Sequence, residues 1–144
     1  MRAIPRILIA GTGSGCGKTT VTCALLQALV NRNLRVRACK CGPDYIDPMF
    51  HRHIVGRSSS NLDLFLLGPD TVRRLLAKAG AGCDITVIEG VMGYYDGLAL
   101  DNSAASSWQV ARATHTPAVL VVDARAAALS VLATVEGFLH FQPH

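Results

Sequence analysis

The chain has 144 residues, half of them apolar, with a net charge of +4 and only 6% aromatic residues, which is the size of one domain with a real core. No stretch approaches the roughly 20 uninterrupted apolar residues that cross a membrane. The basic residues are scattered rather than banded with aromatic platforms, so anionic small molecules suit this balance better than a nucleic acid or a membrane.

The first residues, MRAIPR, lead straight into a short apolar run. They lack the longer apolar segment and small-residue cleavage site of a signal peptide, so a cytoplasmic protein is expected. Residues 6–10 read as a first strand, and directly behind them stands GTGSGCGKTT, from Gly11 to Thr20. A strict phosphate-binding loop, G-x-x-x-x-G-K-[ST], wants glycine six residues before the lysine, where Thr12 stands. The outer glycine is shifted to Gly11 and the loop is one residue longer. Gly13, Gly15 and Gly17 let the backbone curl its N–H groups toward a phosphate, and the following helix adds its positive end. Gly13, Ser14, Gly15, Cys16, Gly17, Lys18, Thr19 and Thr20 are therefore the candidate nucleotide-binding residues. Lys18 would reach the β and γ phosphates, and the Thr19 hydroxyl could ligate Mg²⁺. A dinucleotide fingerprint starting at Gly11 is excluded, because Cys16 stands where its last glycine belongs.

Residues 18–31 read as a helix with Val21, Leu25, Ala28 and Leu29 along one side, and 34–39 as a strand. The polar stretch 40–61, rich in Gly, Pro, Asp and Ser, reads as a long functional loop. Within its KCGPDYIDPMFH, Asp44 and Asp47 lie between Pro43 and Pro48, at a strand end where ligands gather in open α/β sheets. They could hold Mg²⁺ or orient a substrate, and turn chemistry is an equal alternative. The run His51-Arg52-His53 reads as a solvated surface, and residues 58–63 as substrate-facing or a polar lead into a helix.

A helix is expected from Pro69 and Asp70 to about residue 79, with Asp70 as its cap. Residues 84–89 read as a strand and 90–102 as a second glycine-containing loop. In VIEGVMGYYDG, Glu89 ends that strand level with the phosphate loop, where a carboxylate could bind Mg²⁺ directly or through water. Gly90, Gly93 and Gly97 would allow close backbone approach, and Asp96 adds another acid. Then follow a helix over 103–114, a buried strand over 118–123 ending in Asp123 as site acid or cap, and a last helix over 126–139. Strand–helix alternation predicts an α/β fold of the P-loop NTPase type, a mostly parallel sheet with helices on both faces. Such sheets typically carry more strands, so an incomplete domain is expected. The five cysteines are odd in number and lack C-x-x-C spacing, which reads as free thiols rather than a metal site.

In order, GTGSGCGKTT, KCGPDYIDPMFH, SNLD, VIEGVMGYYDG and VLVVDA resemble the cobyrinate a,c-diamide synthase family, from Ile7 to about Phe138. The resemblance implies ATP- and Mg²⁺-dependent amidation of the a and c side-chain carboxylates of cobyrinate through an acyl phosphate, a step in cobalamin biosynthesis. It makes residues 1–144 the amino-terminal part of a dethiobiotin-synthetase-like ATP-binding domain. A carboxy-terminal glutaminase domain, absent from this chain, would supply ammonia from glutamine, and a homodimer is one allowed assembly. By resemblance Lys18, Asp44, Asp47 and Asp96 serve catalysis, Lys18 and Lys40 neutralise phosphate, and Thr19, Asp47 and Glu89 hold the metal. Related synthetases that amidate hydrogenobyrinate or a nickel tetrapyrrole are the nearest rivals. A partner-regulated ATPase switch is a rival of another class; its signature lysine would stand where this chain has Gly13.

Overall fold

Short strands that are apolar at nearly every position need cover on both faces, and this requirement shapes the molecule. The computed structural model describes residues 4–142, so Met1 to Ala3 of the expected lead-in and Pro143 and His144 at the other end lie outside the described residues. Five strands, β1 (Arg6–Gly11), β2 (Val36–Cys41), β3 (Ser60–Leu62), β4 (Ile85–Glu89) and β5 (Ala118–Val121), form one sheet in the order β3-β2-β4-β1-β5. Every pairing is parallel. The fold is therefore the expected α/β architecture of the P-loop NTPase type.

Alternation along each strand sorts the core into two layers. Ile9, Val36, Ala38 and Val87 face helix α1 (Lys18–Asn31), whose Leu26 is fully buried against them, and the end of α2 (Asp47–Val55). Leu8, Cys39, Cys41 and Ile88 face the other way, against Val72 and Leu76 of α3 (Leu64–Gly80) and Trp108 and Val110 of α4 (Ser107–Thr114). Each fully buried Leu, Ile or Val contributes on the order of 1.5–3 kcal/mol. None of the helices is long and apolar enough to cross a membrane among the described residues.

Several boundaries differ from the sequence expectation, each for a local reason. Strand β2 runs two residues further than expected, to Cys41, so Lys40 lies inside the sheet. The stretch read as loop contains all of α2 and the first two residues of β3. Asp44 Oδ1 accepts from the N–H groups of Ile46 and Asp47, at 2.8 and 3.3 Å, and so organises the start of α2. Pro48 sits in its first turn, where a missing N–H costs nothing. Helix α3 starts earlier than expected and is capped by Asp63, which accepts from Phe65 and Leu66. Gly68 (φ 70°) then breaks the helical geometry, and Asp70, expected as the cap, pairs with Arg73 at 3.2 Å. Helix α4 begins at Ser107 behind its cap Ser106, not at 103.

Strand β5 lies at the sheet edge and is exposed or half-buried along its length, not buried as its composition suggested. Asp123 beyond it is spent on Arg125, 2.6 Å away. The last helix, α5 (Ser130–His140), buries none of its residues. It is tied to the rest by the Tyr95 hydroxyl, which donates to the Phe138 carbonyl at 2.7 Å, and by stacking of those two rings.

All five cysteines are unpaired, and Cys39 and Cys41 are fully enclosed. Burial pushes both thiols up to about 12, leaving roughly one in ten thousand ionised at pH 8. Alkylation of the native protein at pH 8, read by peptide mass spectrometry, is expected to label Cys16 and Cys83 while Cys39 and Cys41 stay unmodified until denaturant is added. Equal labelling rates would contradict this packing of β2.

Candidate functional site

Lys40 and Glu89 are register partners on adjacent parallel strands. Lys40 continues the row of Val36 and Ala38, and Glu89 the row of Ile85 and Val87, so both point into the α1/α2 layer. At the carboxyl end of the sheet that layer turns from apolar to charged. This is where open α/β sheets bind ligands.

The phosphate-loop candidate curls over this edge between β1 and α1. At Gly11 an added Cβ would collide with Cys16 Sγ and the Lys18 side chain, which explains glycine at the outer position of the lengthened loop. Gly15 and Gly17 have φ of 74° and 98°, and their vacant Cβ positions face open space. The first bond of the α1 ladder runs from Val21 N–H to Gly17 carbonyl at 3.0 Å, so the N–H groups of Lys18, Thr19 and Thr20 precede it. Together with the helix dipole they make an anion site. The Lys18 ammonium donates across the loop to Gly13 carbonyl at 2.8 Å, with Cys16 Sγ at 3.9 Å.

Under the loop, Glu89 is fully buried and its two oxygens have different partners. Oε1 accepts from Thr19 Oγ1 at 2.6 Å and from Lys40 Nζ at 3.1 Å. Oε2 lies 2.6 Å from His51 Nε2. Burial acts to raise the Glu89 pKa, but the His51 and Thr19 hydrogen bonds and the Lys40 charge outweigh it and bring it down to about 2. Lys40 Nζ donates to Asp47 Oδ2 at 2.6 Å and Gly90 carbonyl at 2.9 Å, with Asp44 Oδ2 at 3.6 Å. Burial works to lower the Lys40 pKa, and the hydrogen bonds and charges of Asp47 and Glu89 raise it instead.

Ser14, Gly15, Gly17, Lys18, Thr19, Thr20, Lys40, Asp44, Asp47 and Glu89 thus line one cleft of about 440 Å³. Its oxygen donors, the Thr19 hydroxyl and the Asp47 and Glu89 carboxylates, suit a hard divalent cation. The cleft's three carboxylates outnumber its two ammonium groups, Lys18 and Lys40, which leaves one negative charge for such a cation to offset. Lys40, expected to neutralise phosphate, places its ammonium on these acids. Asp96 does not line the cleft; it is exposed and its Oδ2 accepts from Gly93 N–H at 2.7 Å. A larger cavity of about 800 Å³, between α4, β5 and α5, is lined by groups such as Ala111, Leu120 and Phe138 and has no carboxylates.

His51 overturns its reading as solvated surface. It is fully buried, because α2 presents Asp47 and His51 one helical turn apart on its inner face. That i, i+4 spacing was the available signal. Ser59, Asn61 and Asp63 within residues 58–63 make structural contacts, Asp63 as the cap of α3. Ser59 Oγ lies 3.3 Å from His51 Nδ1, and Asn61 Nδ2 donates to the Gly42 and Asp44 carbonyls at 3.0 and 2.6 Å.

Residues 7–135 match the family described as the CobQ/CobB/MinD/ParA nucleotide binding domain. The chain is 50% identical over 141 residues to the hydrogenobyrinate a,c-diamide synthase of Streptomyces coelicolor, covering 98% of this chain and 29% of that protein. It is 49% identical over 139 residues to the cobyrinate a,c-diamide synthase of Listeria monocytogenes, covering 96% and 31%. The corresponding enzyme of Salmonella typhimurium is 48% identical over 136 residues, covering 94% and 30%. The resemblance carried by the motifs is borne out, and the chain spans about 30% of the length of these curated relatives. Among solved structures, the signal recognition particle receptor FtsY from Elizabethkingia anophelis shares the fold, with a TM-score of 0.66 at 16% identity over 99% of this chain and 48% of that one.

Lys40→Met removes the ammonium shared by Asp47 and Glu89 and leaves buried negative charge uncompensated. Its stability in urea unfolding is expected to fall by about 3–5 kcal/mol. A loss below about 1 kcal/mol would mean the cluster behaves like a surface ion pair.

Proposed function

The chain belongs to the CobQ/CobB/MinD/ParA nucleotide binding domain family, and from that premise we propose that it binds ATP with Mg²⁺ and spends it on activating a side-chain carboxylate of a cobyrinate-type tetrapyrrole for amidation. One observation carries the reading: the Thr19 hydroxyl of the phosphate loop meets a buried strand-end carboxylate, Glu89, at 2.6 Å, with Asp47 linked to the same carboxylate through Lys40. Residues 1–144 are in this reading the ATP-binding part of a longer synthase, and a glutaminase domain would release ammonia from glutamine for it. The similarity to the Streptomyces coelicolor protein favours hydrogenobyrinate as a second reading of the substrate.

The loop N–H groups of residues 13–20 and the α1 dipole would hold the phosphates, and Lys18 would exchange its Gly13 carbonyl for them. Thr19, Glu89 and Asp47 would hold Mg²⁺, which supplies neutralisation of the phosphate charge. The substrate carboxylate oxygen attacks the γ-phosphorus as the bond to the β-phosphate oxygen breaks, giving an acyl phosphate and ADP. Ammonia then attacks the acyl carbon, phosphate leaves with the C–O bond pair, and a proton passes to solvent. Such phosphoryl transfer needs positioning and charge stabilisation rather than a protein nucleophile.

The surface beside the cleft suits a large macrocycle with apolar faces and carboxylates on its rim. Tyr45, Ile46, Met49 and Phe50 are all exposed on the same segment as Asp44 and Asp47, Tyr45 at 81%.

Two substitutions in the complete synthase test this. Lys18→Ala is expected to lower ATP turnover by at least about a hundredfold; unchanged turnover would sink the phosphate-loop assignment. Asp47→Asn is expected to keep ATP affinity within about tenfold while amidation falls much further. A common large loss of both would make Asp47 chiefly a nucleotide–metal residue rather than one that also arranges the substrate.

A further inference from the structure

A histidine with no exposed surface and a contact on each ring nitrogen has its orientation fixed from both sides. His51 Nε2 is 2.6 Å from Glu89 Oε2, and Nδ1 is 3.3 Å from Ser59 Oγ, which itself donates to the Ala38 carbonyl at 3.2 Å. The ring is thus a strut between the last residue of β4 and the backbone of β2. It occupies the oxygen of Glu89 that faces away from Thr19, and leaves the other oxygen for Thr19 and Lys40. Without this donor, Oε2 is a buried acceptor lacking its partner. The carboxylate would then be free to rotate, sharing both oxygens with the Lys40 ammonium and drawing away from Thr19.

We infer that His51 is a positioning residue that aims Glu89 Oε1 at a divalent cation carried by the bound nucleotide. The inference rests on the reading of the cleft as an ATP–Mg²⁺ site. Outer partners of this kind hold a ligand oxygen in place and typically change metal affinity by about 10–100-fold when removed. A helix-to-sheet strut with no such role would move stability and leave the cation requirement alone.

The test is a calorimetric titration of the protein with the non-hydrolysable analogue adenylyl imidodiphosphate, in EDTA and then across a series of MgCl₂ concentrations. His51→Ala is expected to raise the Mg²⁺ concentration at half effect by about 10–100-fold while metal-free affinity for the analogue stays within about threefold. His51→Gln, whose Nε2–H can replace the imidazole donor, is expected to stay within about threefold of wild type. A wild-type Mg²⁺ requirement in His51→Ala would overturn the inference, as would equal defects in the Ala and Gln variants. Should His51→Ala not fold, His51→Gln and Ser59→Ala decide it. A weakened Mg²⁺ response in Ser59→Ala alone supports the inference, and indistinguishable responses refute it. If wild-type protein binds the analogue with no Mg²⁺ effect, or not at all, the ATP–Mg²⁺ reading of the cleft fails first and takes this inference with it.

Discussion

A single buried carboxylate governs the architecture of this sheet edge. Glu89 has no exposed surface, and an isolated charge there would cost several kcal/mol. Its stability as an anion depends on donors brought by three other elements: Thr19 from α1, Lys40 from β2 and His51 from α2. Its partners therefore tie together the start of α1, the register of β2 against β4 and the lie of α2 over both. The ion cluster is weak evidence for stability in its own right, since well-packed apolar groups of the same volume commonly do as well or better. Its place at the mouth of a phosphate loop, lining the same cleft as Lys18 and Thr19, fits chemistry rather than packing.

The same edge shows how an apolar core is converted into a site without a change of fold. Val36 and Ala38 on β2, and Ile85 and Val87 on β4, belong to the layer under α1. One step further along each row stand Lys40 and Glu89, paired in register. The strand rigidity that packs the core therefore also places the charges. Asp47 and His51, from the first turns of α2, complete the cluster from above. The result is a set of side chains on strands and helices, which hold geometry better than loops do.

Much of this was legible in the sequence. The alternation of strand and helix, the GKTT at the start of α1 and the acid at the end of β4 each carry their own physical signature, and they fell where expected. The middle of the chain did not, because Pro43, Asp44, Asp47 and Pro48 are equally at home in turns and in the first turn of a helix. Reading a loop there hid α2, and with it the helical spacing that puts His51 on the buried face beside Asp47. Strand β5 misled in the opposite direction: its Val and Leu run looks central, but edge or centre is decided by pairing, which composition does not encode. Asp96 shows the limit for single acids, since its carboxylate is engaged by the Gly93 N–H three residues back.

The shared oxygen of Glu89 has a further consequence under the proposed function. Thr19 Oγ1 and Glu89 Oε1 stand 2.6 Å apart, so a cation that takes both as ligands must replace the hydrogen bond between them. The Lys40 ammonium, 3.1 Å from that oxygen, would then face a positive neighbour and depend more on Asp47 and Asp44, its other two carboxylate partners. Those two acids bracket the start of α2, and Tyr45 and Ile46 stand exposed between them. Under the proposed function, occupancy of the phosphate loop would thus reach, through Glu89 and Lys40, the segment that carries Tyr45 and Ile46. In that reading the chain Thr19–Glu89–Lys40–Asp47 would give a physical means of having the nucleotide in place before the substrate's own carboxylate is held against it.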